Sequence, residues 1–243
     1  MTHSVRIRMR RWHRSAGALA AIGVLLLVVT GMLLNHAPSL GLDQRPVRAD
    51  WVLDRYGIQI AAPMGYFVAP FWISVSGGQL YVDANAAGTL DRLRGAVTLE
   101  GMIFAGGGDA LVVLDGAGHR IDQLDRASLP GAIDAIAASA DRVLIETGEL
   151  WHASDSSLLA WTPSAAPDAV TGARPLPVSL ARAVVADARS RQLNWERVLL
   201  DLHSGRLLGA WGPWVVDVFA LLFALLAVSG FWLWLRSRHR PRA

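Results

Sequence analysis

Residues 202–209 read LHSGRLLG, and an apolar run from Trp214 to Leu235 follows them closely. About twenty apolar residues, at a rise of about 1.5 Å each, span the roughly 30 Å hydrocarbon core of a bilayer. Tryptophan is enriched at both membrane interfaces, and tryptophans stand near both ends of this run. Residues 213–235 are therefore predicted to form a transmembrane helix.

A second uncharged run, residues 16–34, lies near the N-terminus and follows five arginines. A cleaved signal peptide is the alternative, because it also places a basic segment before an apolar one. The run is longer than the about 7 to 15 residues of a signal-peptide core, and no A-x-A cleavage site follows it. We expect a retained first transmembrane helix.

The arginines of the two chain ends indicate the orientation of these helices. Five precede the first span and four follow the second, whereas the rest of the chain carries 14 Arg and 20 acidic residues. The positive-inside rule places residues 1–15 and 236–243 in the cytoplasm as basic tails. Residues 35–212 are then an extracytoplasmic domain. Because that domain is acidic, the pI near 10.1 does not indicate nucleic-acid binding.

The composition excludes several kinds of site. The chain is 53% hydrophobic and contains no cysteine. Disulfides, iron–sulfur clusters and covalently attached c-type haem are therefore excluded. The sequence also lacks the G-x-S-x-G and H-E-x-x-H motifs of common hydrolases.

Residues 71–161 alternate apolar and polar positions between closely spaced turns, which is typical of β-meanders. Leu80, Leu111 and Val143 occupy equivalent positions in three successive units, at spacings of 31 and 32 residues. A fixed period predicts blade-like, three-stranded repeats resembling those of β-propellers, although three units do not close a ring. We expect an open, stacked or curved β-domain.

Turn residues define the predicted elements around these strands. In the first unit, residues 85–88 are predicted to form a turn and residues 89–93 a strand. Asp50 is the predicted N-cap of a short helix, and the proline-rich residues 163–177 indicate a linker. Accessory helices are expected over about residues 179–204, with Asn194 capping the second and Gly205 ending it.

These patterns together predict an α+β membrane protein. Two antiparallel transmembrane helices would flank a β-rich extracytoplasmic domain that also contains accessory helices. The chain would associate with the membrane, with a second copy or another membrane protein as its partner.

The histidines near the membrane are the candidate functional residues. With both tails inside, His36 and His203 lie at one leaflet, and His13 and His239 at the other. A bis-His b-type haem requires two axial imidazoles, which two facing helices can supply at the same depth. His36 and His203 are therefore candidate ligands of haem iron. The alternative is that amphipathic side chains are simply stable at an interface.

Arg206 and Asp217 are further candidates. Arg206 follows His203 within one turn and offers a guanidinium to a carboxylate such as a haem propionate. Asp217 lies within the second span, where an acid is by default a candidate functional residue, although a carboxylate is also favoured in the first turn of a helix. His119 and His152, in the β-region, are expected to be surface or turn residues.

Four segments resemble the PepSY-associated transmembrane helix family. They read RWHR at 11–14, TGMLLNH at 30–36, DLHSGRLLG at 201–209 and SGFWLWLR at 229–236. The resemblance covers the two spans and their flanking segments, about a third of the chain. It implies a protein of the bacterial inner membrane with a periplasmic central domain.

Larger members of this family are linked to iron and siderophore uptake, and some resemble haem-bearing ferric reductases. By that likeness, His13, His36 and His203 would ligate haem. This chain has two spans where the larger members have four or more, so a four-helix haem core would need a homodimer. Two hypotheses follow: an oxidoreductase of the ferric-reductase type, and a non-catalytic, membrane-anchored binding or accessory module.

Overall fold

The computed structural model describes residues 3–139 and 141–238. Met1, Thr2 and residues 239–243 of the predicted basic tails, with His239 among them, lie outside the described residues, as does Ala140 of the third predicted repeat. The chain divides into two compact units. We call residues 1–47 with 193–243 the helical unit, and residues 48–192 the β unit.

The described residues contain five α-helices. They are α1 (His3–Asn35), α2 (Asp50–Arg55), α3 (Val178–Ser190), α4 (Trp195–His203) and α5 (Gly212–Arg238). Helices α1, α4 and α5 belong to the helical unit, and α2 and α3 to the β unit.

Thirteen strands lie in the described part of the β unit. They are β1 (Met64–Val68), β2 (Phe71–Ser76), β3 (Gln79–Val82), β4 (Asn85–Thr89), β5 (Gly95–Leu99), β6 (Met102–Gly107), β7 (Ala110–Leu114), β8 (Arg120–Leu124), β9 (Ala135–Ser139), β10 (Arg142–Thr147), β11 (Leu150–Ser154), β12 (Trp161–Ser164) and β13 (Arg174–Pro175). They form three antiparallel sheets with the orders β13-β1-β2-β3-β4, β5-β6-β7-β8 and β9-β10-β11-β12.

The middle sheet is covered on both faces because its strands alternate their side chains between two cores. Ala105 and Val112 pack with residues of the first sheet, such as Ile73. Phe104 and Leu111 instead pack with residues of the third sheet. Both neighbouring layers are thus apolar, which explains why strands β6 and β7 are almost continuously buried.

Helix α3 covers the outer face of the first sheet. Val184 and Ala188 pack against Tyr81 of β3. The Tyr81 hydroxyl donates to Asp187 Oδ2 at 2.9 Å, and Arg191 Nε donates to the same oxygen at 2.6 Å. Apolar burial and a charged hydrogen bond therefore fix α3 on the sheet.

The structure corrects several predicted elements of the β unit. Residues 85–88 form most of β4 rather than a turn, because Asp83 adopts a positive φ of 51° and turns the chain two residues earlier. Residues 89–93 accordingly contribute only Thr89 to a strand. The predicted linker at 163–177 contains the end of β12 and all of β13, which pairs with β1 at the sheet edge.

Helix ends were predicted with mixed success. The Asn194 side chain accepts from Arg197 N, which confirms it as the N-cap of α4. Asp50 is not a cap: the N-cap position of α2 is Ala49, and Asp50 lies in the first turn. Helix α3 begins at Val178, one residue before the predicted start.

The mixed α+β class with antiparallel sheets is confirmed. Within the described residues, one helix, Gly212–Trp232, is long and apolar enough by itself to cross a membrane. Helix α1 meets the same test only as two segments, Arg11–Ala18 and Ala20–Asn35, bent by 41°. A second membrane span and a blade-like repeat therefore stay predictions.

Helices α1 and α5 pack directly on each other around Gly23. A Cβ at this position would lie 2.5 Å from the Phe219 ring, so only glycine fits without a shift. The Phe219 side chain of α5 therefore fills the contact with α1 at this point.

The connection from α4 to α5 is a compact loop. Gly205 has φ 76°, which disfavours other residues, and a Cβ there would collide with the Gly212 carbonyl. This close approach lets the chain leave α4 at His203 and enter α5 within a few residues. Gly205 therefore ends α4 as predicted.

Candidate functional site

His203 binds the opposite helix through one ring nitrogen. Its Nδ1 lies 2.8 Å from the Thr30 hydroxyl of α1. Its Cε1 lies 3.4 Å from where a Cβ of Gly31 would stand, so the ring rests on a bare stretch of helix backbone. Thr30 is only 3% exposed, although it is polar and lies in an apolar helix. The buried hydroxyl thus has a defined imidazole partner.

A similar arrangement joins α1 and α5, and there the histidine lies on α1. His13 of α1 has its Nδ1 2.9 Å from the Ser229 hydroxyl of α5. Its Cε1 lies 3.4 Å from the Cβ position of Gly230. In both places a hydroxyl residue and the glycine after it receive a histidine from the other side. We call these places the His203 seat (Thr30 and Gly31) and the His13 seat (Ser229 and Gly230).

A groove opens beside the His13 seat. Its volume is about 360 Å³, which falls in the size range of small-molecule sites. The residues that line it on both helices are apolar apart from His13, and most are small; they include Gly17, Ala20 and Ala227. His13 is the only polar side chain among its lining residues, so a ligand there would meet one imidazole in an otherwise apolar space.

The remaining predicted residues are exposed. His36 is exposed and follows the end of α1, six residues beyond Thr30. Six residues advance a helix by about 9 Å, so His36 stands farther along the axis than the His203 ring. Arg206, in the turn after α4, and Asp217, in α5, are both exposed.

In the described part of the chain, no group of three or more His, Asp or Glu side chains is placed to hold a metal ion. A site built on the seats would therefore use single imidazoles as ligands, which haem iron accepts.

The two histidines of the β unit have local partners. His119 is an exposed turn residue, and its Nδ1 lies 3.3 Å from Asp115. Backbone N–H groups, first of all that of His119, lower the pKa of the Asp115 carboxyl. His152 Nδ1 lies 3.2 Å from the Thr147 hydroxyl, its neighbour across a hairpin. The structure thus places His119 at the surface, whereas His152 lies half-buried within strand β11.

Thr30 and Ser229 are the residues that sequence reasoning missed. Each belongs to a quoted segment, TGMLLNH or SGFWLWLR, but neither had an assigned partner. The available signal was a hydroxyl residue followed by glycine near the C-terminal end of each apolar run. The sequence could not show which histidine contacts each hydroxyl–glycine pair.

The profile of the family described as PepSY-associated TM region matches residues 1–237. The chain belongs to this family. The match covers both units, whereas the quoted segments covered the two predicted spans and their flanks. Membrane association follows from the family and from the apolar helix α5. No curated protein and no solved structure matches the chain.

Proposed function

We propose that this PepSY-associated protein binds b-type haem at its histidine seats and carries electrons to a ferric substrate, as an oxidoreductase in iron uptake. The observation that supports this is the geometry of His203 and His13. Each ring is fixed through Nδ1 by a hydroxyl on the opposite helix, at 2.8 and 2.9 Å, which leaves Nε2 for a ligand. A hydrogen bond at the ring nitrogen that does not bind the metal orients a metal-binding imidazole.

The residues present suit such a group. Glycine at 31 and 230 leaves the helix backbone bare beside each ring, and the groove at His13 is apolar. When bound, haem would supply one-electron transfer. Arg206, one turn from His203, would pair with a propionate. For the bis-His ligation of the proposal, each seat needs a second imidazole.

The second donor would come from His36 at the His203 seat, or from a second copy of the chain at either seat. A homodimer brings two helix pairs together and thus provides a four-helix core. A different membrane protein would be the alternative partner. The haem content of a His36→Ala variant distinguishes His36 from a partner chain as the second donor. Haem binding at the His203 seat is lost in this variant only if His36 is the donor.

We place the protein in the bacterial inner membrane with both termini in the cytoplasm and the β unit in the periplasm. The support is the arginine distribution, five before the first apolar run and four after the second. In this orientation the His203 seat faces the periplasm and the His13 seat the cytoplasm. Electrons would then pass outward from His13 to His203.

The test is the reduced-minus-oxidised absorbance spectrum of the purified full chain with and without added haem. We expect a b-type band in the wild type that falls in His203→Ala and in His13→Ala. His119→Ala and His152→Ala, in the β unit, are the matched controls and keep the wild-type band. The absence of a b-type band in the wild type would refute the proposal.

The second candidate is a non-catalytic, membrane-anchored binding or accessory module. The acidic β unit favours it, with 16 acidic residues against 11 Arg in residues 48–192, because such a surface attracts cationic partners. In that case His36→Ala and His203→Ala leave partner binding intact, whereas charge reversals on the β-unit surface abolish partner binding.

A further inference from the structure

The Thr30 hydroxyl has three polar neighbours but one hydrogen to donate. Its Oγ1 lies 2.7 Å from the Leu26 carbonyl, 3.3 Å from the Leu27 carbonyl and 2.8 Å from His203 Nδ1. A carbonyl can only accept. Two oxygens at 2.7 Å without a hydrogen between them would repel, so the hydroxyl donates to Leu26. It is left as an acceptor for His203.

The proton of the His203 ring follows from this. A neutral imidazole carries one N–H, and the hydroxyl oxygen can only receive it at Nδ1. His203 is therefore the Nδ1–H tautomer, with the lone pair on Nε2. A valine at position 30 would keep the shape of Thr30 but remove the acceptor and with it this preference.

Ser229 makes the same choice at the other end. Its hydroxyl lies 3.1 Å from the Leu226 carbonyl and 2.9 Å from His13 Nδ1. The hydrogen again goes to the helix carbonyl, and His13 carries its proton on Nδ1. The Cβ position of Gly230 is 3.8 Å from His13 Nε2, so the lack of a side chain there leaves space beside that nitrogen.

We propose that Thr30 and Ser229 are positioning residues that hold His203 and His13 as Nδ1–H tautomers, so that each ring presents an unprotonated Nε2 to a bound metal centre. For haem, this rests on the proposed function. The two seats then share one arrangement, between α4 and α1 at Thr30 and between α1 and α5 at Ser229, and both follow the same substitution rules.

The first measurement uses the full chain without haem, labelled with ¹⁵N-histidine, at about pH 8, where an ordinary imidazole is neutral. The nitrogen chemical shifts separate an N–H nitrogen from a bare one, and His203→Ala and His13→Ala spectra assign the signals. We expect Nδ1–H at both residues. Thr30→Val should change only His203, and Ser229→Ala only His13. An Nε2–H ring in the wild type would overturn the proposal.

The second measurement is haem titration of the same proteins. Loss of an outer-shell partner costs about 10- to 100-fold in metal affinity, and we expect that loss in Thr30→Val and Ser229→Ala. Thr30→Ser and Ser229→Thr retain the hydroxyl and should bind within about threefold of the wild type. Equal binding by Thr30→Val and Thr30→Ser would overturn the positioning role.

The two measurements keep the proposals distinguishable. If the wild type binds no haem but shows both Nδ1–H rings, the haem function is overturned and the tautomer assignment stands. Gel filtration and helix content, compared with the wild type, identify a variant that fails to fold. If such a variant does not fold, Thr30→Ser or Ser229→Thr is compared with the wild type at that seat instead.

Discussion

The β unit and the helical unit use their polar side chains differently. In the β unit, Asp187 binds Tyr81 and Arg191 to hold a helix on a sheet, and Asp115 accepts from the backbone of its own turn. In the helical unit, Thr30 and Ser229 each contact a histidine of another helix. Polar contacts in the first unit complete the packing, whereas those in the second fix two rings and leave one nitrogen of each available.

We expect the largest difference in stability between the units when two glycines with similar φ, one in each unit, are replaced by alanine. Gly205→Ala places a Cβ at φ 76° against the Gly212 carbonyl, whereas at Gly57 (φ 67°) nothing lies within 4 Å. A positive φ alone costs about 1–2 kcal/mol. We expect Gly57→Ala to cost that amount and lower Tm slightly, and Gly205→Ala to prevent stable folding of the helical unit. Thermal unfolding of the purified variants, followed by circular dichroism, checks this. Equal Tm values would contradict it.

We expect a smaller difference in Tm between two alanine substitutions within α1. Gly23→Ala puts a methyl 2.5 Å from the Phe219 ring, whereas at Gly31 the His203 ring is 3.4 Å away, an ordinary contact. Overpacking costs about 1–3 kcal/mol, and alanine regains up to about 1 kcal/mol of helix propensity. We therefore expect Gly23→Ala to lower Tm and Gly31→Ala to leave it unchanged or raise it. A lower Tm for Gly31→Ala than for Gly23→Ala would show that the helix contact is misplaced.

The smallest effect should be confined to the β unit and to alkaline pH. Burial, and after it the Asp187 carboxylate, raises the pKa of Tyr81 from its usual 10 to about 12. A raised pKa in the folded state gives stability that is complete below pH 10 and is lost as pH rises from 10 towards 12. Denaturant midpoints at pH 8 and 11 should therefore fall less in Tyr81→Phe than in the wild type. Burial also raises the pKa of Tyr66, so part of the fall remains. An identical fall in both proteins would contradict the assignment.

Local chemistry explains what the sequence could predict. The cap at Asn194 and the stop at Gly205 depend on residues within one turn, so their patterns were sufficient. Strand β13 was missed because its partner β1 lies about 110 residues earlier, and a two-residue strand has no pattern of its own. Strand β4 was missed because the turn before it uses a positive φ at Asp83 rather than at a glycine.

The histidine seats required the structure for a different reason. The sequence placed His13 and His203 near opposite ends of two apolar helices, and this was sufficient to select them. It could not show which residue on the other helix meets each ring, since that depends on the register set by Gly23 and Phe219. The predicted pairing of His36 with His203 stays a prediction, and Thr30 is the partner that the structure adds.

Haem content of two double variants compares the two units most directly. The full chain carrying His13→Ala and His203→Ala is measured beside the full chain carrying His119→Ala and His152→Ala, after both are incubated with haem and gel-filtered. Our account predicts no retained b-type haem in the first and the wild-type amount in the second. Equal retention in the two, or loss only in the second, would contradict it.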